Sequence, residues 1–169
     1  MAKTRLTPTS YVVLALIEQM QPASPYDLKR AVAMGVGHFW SLPHTQLYSE
    51  CTRLAEAGLL TERREESGRR RRIYRLTTGG AQELDLWRAE PTSELYELRD
   101  AGLLRLCFGA DARKLAPRQL ETHEAKLREY EAQLEECRRI DAPEGIIHAI
   151  EAGVGHEREY VRFWKRLGR

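Results

Sequence analysis

Cysteine is scarce and scattered in this chain. Its 169 residues include three, Cys51, Cys107 and Cys137, far apart, with no CxxC pair and no histidine at zinc spacing beside them. A disulfide framework and a metal knuckle are therefore not expected, and all three read as reduced core or surface thiols. Long apolar runs are missing too. Tyr11 to Ile17 is the nearest approach, and it falls well short of the roughly 20 residues that span a bilayer. Lys3 and Arg5 ahead of it imitate the start of a signal peptide, but Glu18 and Gln19 end the run and no small-residue cleavage site follows. A cytoplasmic chain with no membrane partner is expected.

Signatures of catalysis are also lacking. The five histidines, His38, His44, His123, His148 and His156, contain no HExxH and no clustered ligand set. Gly35-Val36-Gly37-His38 and Gly153-Val154-Gly155-His156 share a string, yet neither belongs to a strand-turn-helix with a third glycine, so nucleotide binding is not indicated. No nucleophile, base and orienter come together in the pattern. No enzyme, catalytic residue, metal or cofactor is expected. Net charge is small as well, +2 overall, which taken alone argues against a nucleic-acid partner. The average conceals an asymmetry, because residues 1–88 hold 13 basic and 9 acidic side chains while residues 89–169 hold 14 and 16.

What is present is a globular composition, 42% hydrophobic and 31% charged, sufficient for one domain or two small ones. Thr7 with Pro8 predicts a helix start before the apolar stretch, and that helix is expected to be buried. Ser24, Pro25 and Asp27 predict a second start, with Leu28, Ala31 and Val32 inward and Gly35 and Gly37 at its end. Pro43 opens a third helix, whose Leu47, Cys51, Leu54 and Ala55 form one inward stripe closed by Gly58. The period then changes. Residues 59–65 and 71–77 suit two strands joined by a turn at Ser67-Gly68, and Thr77 or Thr78 caps a further helix in which Leu84 and Trp87 pack back. Three compact helices, a hairpin and another helix within 88 residues predict a winged helix-turn-helix.

The later residues predict helices only. Residues 95–108 read as a short buried helix ended by Gly109, and a long helix is expected from about Pro117 to Ile140. Its Leu120, His123, Leu127, Tyr130, Leu134 and Cys137 alternate at spacings of 3 and 4, a seam that requires a partner. A second long helix from about Pro143 repeats the pattern with Ile147, Ile150, Val154, Val161 and Trp164. Either these helices pair only with one another and the short helix, or the same stripes also bury against a second subunit. The fold class expected is mainly α with a small β-hairpin: a winged helix-turn-helix over 1–88 and a helical dimerisation domain over 89–169. Leu120, Leu127, Tyr130, Leu134, Val161 and Trp164 are its candidate dimerisation residues. An effector site is not assigned, although His123 and Tyr130, with Trp164 opposite, lie where one would fit.

The strongest chemical signal is arginine. Arg69, Arg70, Arg71 and Arg72 occupy the tip and returning strand of the hairpin, with Arg63 and Arg64 on the outgoing strand. Six guanidiniums on one ribbon repel each other, and a phosphate backbone is the anion that spans several at once. Glu62, Glu65 and Glu66 partly neutralise them. The third helix is the candidate reader, because its stripe leaves His44, Thr45, Gln46, Tyr48, Ser49, Thr52 and Arg53 outward. That face is rich in donors and acceptors where a plain solvated face favours Lys and Glu. Gln46 suits an adenine edge, Thr45 or Ser49 a base or phosphate, and Tyr48 and Arg53 the backbone.

At this point a family resemblance emerges. Leu6-Thr7-Pro8-Thr9-Ser10-Tyr11 to Ile17, Ser24-Pro25-Tyr26-Asp27-Leu28-Lys29, Trp40 to Leu47-Tyr48, Arg53-Leu54-Ala55-Glu56-Ala57-Gly58-Leu59-Leu60, and Tyr74-Arg75-Leu76-Thr77-Thr78-Gly79-Gly80 to Trp87 together resemble a PadR-type transcriptional regulator. The likeness runs in register over residues 6–88, and the later half is similar in layout to the longer members with a helical dimerisation domain. Pro25 and Cys51 depart from the usual glycine and large aliphatic residue. Both suit their places, and the inward Cys51 reads as inert core rather than a redox sensor. The resemblance implies a homodimer on a two-fold operator in double-stranded DNA, commonly a repressor, released in some members by a small hydrophobic or phenolic effector. Two other classes compete: a winged-helix adaptor whose wing binds an acidic protein, and an effector-sensing dimer with little DNA affinity of its own.

Overall fold

A computed structural model describes residues 4–65 and 71–169, leaving the side chain of His38 aside. The chain divides into two compact units, one ending at Glu94 and the other spanning Leu95–Arg169.

In the N-terminal unit, helix α1 (Pro8–Met20) starts where a capping box satisfies its first turn. The Thr7 backbone N–H donates to Ser10 Oγ at 2.8 Å and the Ser10 N–H to Thr7 Oγ1 at 3.4 Å. The same device opens α2 (Pro25–Met34), where the Asp27 carboxylate accepts from the Ser24 N–H at 2.9 Å and from its hydroxyl at 2.6 Å. Those bonds, the side-chain one foremost, hold the Asp27 carboxyl below its ordinary 3.8. A short 3₁₀ turn, Val36–His38, leads to α3 (His44–Glu56) behind Pro43. Leu47, Cys51 and Leu54 of α3 are fully buried among Val13, Leu14, Ile17, Leu28, Leu60, Tyr74 and Leu84, so the inward stripe is as expected. Burial pushes the Cys51 thiol up to about 12.

Gly58 takes φ +75°, a left-handed helix end that favours glycine, and turns the chain into the hairpin. Strands β1 (Leu60–Arg64) and β2 (Arg72–Leu76) are antiparallel, Leu60 opposite Leu76 and Arg64 opposite Arg72. Ala23 adds a one-residue bridge to the far edge of β2, exchanging bonds with Tyr74 at 3.1 and 2.8 Å. Helix α4 (Thr78–Ala89) is capped by Thr77, whose Oγ1 accepts from the Gly80 N–H at 3.0 Å. A Cβ at Gly80 would lie 2.2 Å from the Leu59 carbonyl oxygen, so only glycine permits this approach. Trp87 is partly exposed but stacks on Tyr11 at 4.8 Å, and Arg88 pairs with Glu18. Both contacts fasten α4 to α1.

The C-terminal unit is helical. Helix α5 covers only Ala101–Cys107. The expected buried helix over 95–108 is corrected: the Asp100 side chain accepts from the Leu103 N–H at 2.8 Å and starts the helix late, and Gly109 at φ +84° ends it. Two turns cannot bury all its apolar residues, and Leu95, Tyr96, Leu98, Leu104 and Phe108 stand exposed. Helix α6 runs Ala112–Arg139, five residues earlier than Pro117 suggests, because Asp111 caps it by accepting from the Arg113 N–H at 2.9 Å. Pro117 sits inside and forfeits one backbone bond. Helix α7 (Glu144–Leu167) folds back along α6. Their seam buries Tyr130, Ile150 and Val154, with Leu127, Leu134, Cys137 and Ile146 packed around them. A Cβ at Gly153 would lie 2.8 Å from the Tyr130 ring, so one glycine of the second GVGH string has a packing role. Among the described residues, no helix is long and apolar enough to cross a membrane and no acidic, histidine or cysteine group of three is placed to hold a metal.

Candidate nucleic-acid interface

Because Leu47, Cys51 and Leu54 turn inward, the opposite side of α3 faces solvent. His44, Thr45, Gln46, Tyr48 and Ser49 are exposed there, with Thr52 half-buried. Some hydroxyl donors are already used: Ser49 Oγ donates to the carbonyls of Gln46 (3.1 Å) and Thr45 (3.3 Å), and Thr52 Oγ1 to that of Tyr48 (3.3 Å). Their lone pairs remain as acceptors. Gln46 and Tyr48 keep extended polar groups in water, a surface suited to base edges and phosphates. Pro43 gives α3 no side-chain cap, and no acid lies in its first turn, so the positive end of the helix dipole is left for an external anion.

Arg53 differs from the outward guanidinium expected. It donates to Glu50 from Nε (2.9 Å) and Nη2 (2.5 Å), to Ser10 Oγ from Nη2 (2.9 Å) and to the Arg5 carbonyl from Nη1 (3.2 Å). Burial works to raise the Glu50 carboxyl, but the hydrogen bonds from Arg53 and Ser10 outweigh it and hold Glu50 below its ordinary 4.5. Arg53 therefore fastens α3 to the start of α1. The side chain is long and the Glu50 partner lies one helical turn back, so the fold captures a group that sequence reasoning leaves free.

The hairpin separates its arginines by strand parity. Glu62, Arg64, Arg72 and Tyr74 share one face, while Arg63 lies on the other opposite Ile73. Arg69 and Arg70 fall outside the described residues. Arg71 makes a two-pronged pair with Glu65, at 3.1 and 3.3 Å. Arg64 and Arg72, like charges directly opposite, both lie 3.5 Å from Glu62 Oε1, which offsets their repulsion. The buried Tyr74 hydroxyl donates to Glu62 Oε2 at 3.1 Å, and Arg72 Nη1 donates to Thr52 Oγ1 of α3 at 3.2 Å. Burial pushes the Tyr74 phenol up, against the opposing bonds with Thr52 and Arg72. Tyr74 and the Arg72–Thr52 link are not among the residues expected from sequence; the alternation of Glu62 and Arg64 against Arg72 and Tyr74 is the signal that points to them.

The candidate dimerisation residues lie on α6 and α7. Tyr130, Val161 and Trp164 are buried within the chain, Trp164 completely, and Leu120, Leu127 and Leu134 are half-buried. The α6–α7 seam closes mostly on itself because each stripe finds the other across a short turn. The three groups placed where an effector would fit are likewise occupied. His123 Nδ1 lies 2.6 Å from Glu157 Oε2 and its ring 4.7 Å from Tyr160, Tyr130 packs against Gly153, and Trp164 is core.

A polar helix face beside a guanidinium-bearing hairpin, on a winged helix-turn-helix, defines a DNA-binding transcriptional regulator. The chain belongs to the Transcriptional regulator PadR-like family, whose profile matches residues 13–86. It is 31% identical over 134 residues to the negative transcriptional regulator PadR of Bacillus subtilis (strain 168), covering 74% of this chain and 72% of that protein. The crystal structure of Bacillus subtilis PadR in complex with operator DNA covers 98% of both chains at 25% identity with a TM-score of 0.84. The structure of that protein with p-coumaric acid gives 0.77 at 24% identity over 94% of this chain and 95% of its own. Members of this family are DNA-binding regulators of transcription, not enzymes.

Proposed function

We propose that the protein is a homodimeric repressor of a two-fold operator, with a reader in residues 1–88 and a pairing half in 89–169. The α3 face from His44 to Thr52 enters the major groove, and Arg63, Arg64, Arg69, Arg70, Arg71 and Arg72 grip the flanking phosphates. Arg53 buttresses the reader instead of touching the backbone. The observation that carries this reading is that the α3 face left polar and open, Gln46 and Tyr48 at its centre, is hydrogen-bonded through Thr52 to an arginine of the wing. Two copies are needed because one short helix reads few base pairs; a two-fold partner places a second reader about 34 Å away on the duplex. The exposed Leu95, Tyr96, Leu98, Leu104 and Phe108 are the apolar surface that pairing of the helical halves would cover. Release by a small phenolic or hydrophobic effector is supported by the p-coumaric acid complex of Bacillus subtilis PadR.

Replacing Arg63, Arg64, Arg71 and Arg72 with alanine tests the wing. Operator and random DNA should both bind more weakly, and the slope of log affinity against log salt should flatten by about one unit for each phosphate no longer neutralised. An unchanged slope would refute the wing's role. Gln46→Ala should instead change preference among operator variants, and a uniform loss across all of them would rule out base reading there.

A further inference from the structure

We infer that Glu62 is a positioning residue for operator discrimination: its carboxylate holds Arg72 against the reader helix and so fixes the orientation of the wing relative to α3. The inference rests on the reading of α3 and the wing proposed above and adds a group that touches no DNA.

An acid in this place works against affinity. Glu62 subtracts a charge from the strip meant to meet phosphate, and its side chain is only 24% exposed, so solvent screens it incompletely. Both its oxygens are engaged. Oε2 is anchored by the Tyr74 hydroxyl at 3.1 Å, and Tyr74 itself is fully buried and cross-bridged to Ala23. Oε1 lies 3.5 Å from Arg64 Nε and 3.5 Å from Arg72 Nε. With Nε drawn to Glu62, the far end of the Arg72 guanidinium reaches Thr52 on α3, Nη1 to Oγ1 at 3.2 Å. A rigid ring in the core thus fixes a carboxylate, the carboxylate fixes a guanidinium, and the guanidinium ties the hairpin to the helix that reads bases. A freed Arg72 gains a choice of phosphates on any sequence. A held Arg72 reaches its phosphate only when α3 is seated in register.

Glu65 is the matched comparison. It is also a wing carboxylate and also pairs with an arginine, Arg71 at 3.1 Å, but that pair does not reach α3. Binding of the full-length protein to operator and to non-operator duplex should be measured across a salt series for Glu62→Gln, Glu65→Gln and Tyr74→Phe. Glu62→Gln should tighten non-operator binding, steepen its salt slope by about one unit and cut the operator to non-operator ratio by about tenfold. Glu65→Gln should tighten both and keep the ratio within about twofold. Tyr74→Phe leaves the carboxylate in place but removes the hydroxyl that anchors it, and should lower the ratio without steepening the slope. It therefore reports the same link if Glu62→Gln does not fold. Glu62→Gln that behaves like Glu65→Gln, or Tyr74→Phe with an unchanged ratio, would overturn the inference. If alanine at Arg64 and Arg72 flattens the salt slope while Glu62→Gln leaves the ratio intact, the wing stands and only the role of Glu62 falls. If that double variant leaves the slope unchanged, both fall.

Discussion

The N-terminal unit seals Val13, Leu14, Ile17, Leu28, Leu47, Cys51, Leu54, Tyr74 and Leu84 away from water, drawing on every helix and on the hairpin. The C-terminal unit closes its seam around Tyr130, Ile150 and Val154 and leaves Leu104 and Phe108 in solvent, Phe108 at 82%. A core that draws on several elements fixes the angle of each against the others, which is what a reader helix and a wing need if they are to arrive at DNA together. The C-terminal unit rests on one long helical seam, with only the short α5 laid against it at Gln119 and Trp164. Both units leave large apolar side chains in water, Met34, Phe39 and Leu86 in the first and Leu95, Tyr96 and Phe108 in the second, so what separates them is the core beneath and not the surface.

Cavity formation breaks this comparison hardest. Leu47→Ala removes a fully buried side chain from the layer beneath α3 and should cost about 3 kcal/mol, while Leu134→Ala on the half-buried seam should cost about 1 kcal/mol. Urea denaturation with hydrogen exchange resolved by segment measures both, and equal losses would mean that the seam is packed as tightly as the core. A finer probe lies within one helix. Gly153→Ala drives a Cβ to 2.8 Å from the Tyr130 ring, whereas at Gly155 nothing lies within 4 Å. The first should destabilise by about 1–3 kcal/mol and the second should stabilise by about 0.5 kcal/mol through helix propensity. Thermal melts of the two variants should move in opposite directions.

A pH-dependent effect concerns the start of α2. Asp27 titrates below its ordinary 3.8 because Ser24 donates to its charged form, so its stabilisation is fully present above about pH 4 and is lost as the pH falls through the depressed folded value. Asp27→Asn should cost about 1 kcal/mol at neutral pH and less in acid. A loss that does not shrink below pH 4 would show that the carboxylate charge is not what caps the helix.

These local devices are legible in the sequence because their causes are local. Thr7, Ser24 and Thr77 cap the helices they are expected to cap, and the hairpin lies within a residue of its expected bounds, since caps and strand alternation act over a few residues. Where two start signals compete, Asp111 and Pro117, the aspartate prevails: it caps the Arg113 N–H, and the helix runs on through the proline despite the backbone bond lost there. The single-residue pairing of Ala23 has no period to display. Pattern alone leaves Arg53 a free cation because Ser10 and Arg5 lie more than forty positions away in the chain, a separation that periodicity does not cross. The division of the wing arginines between two faces follows from strand parity once the register is known.

Cys51 gives the N-terminal unit an internal clock. A thiol raised to about 12 and shut beneath α3 is chemically silent while the core is closed. The pace at which an alkylating reagent consumes it follows how often that core stands open, while Cys107, exposed at the end of α5, reacts without waiting. One chain thus carries both the timer and its reference, and anything that holds α3 in place, DNA included, would be registered as time.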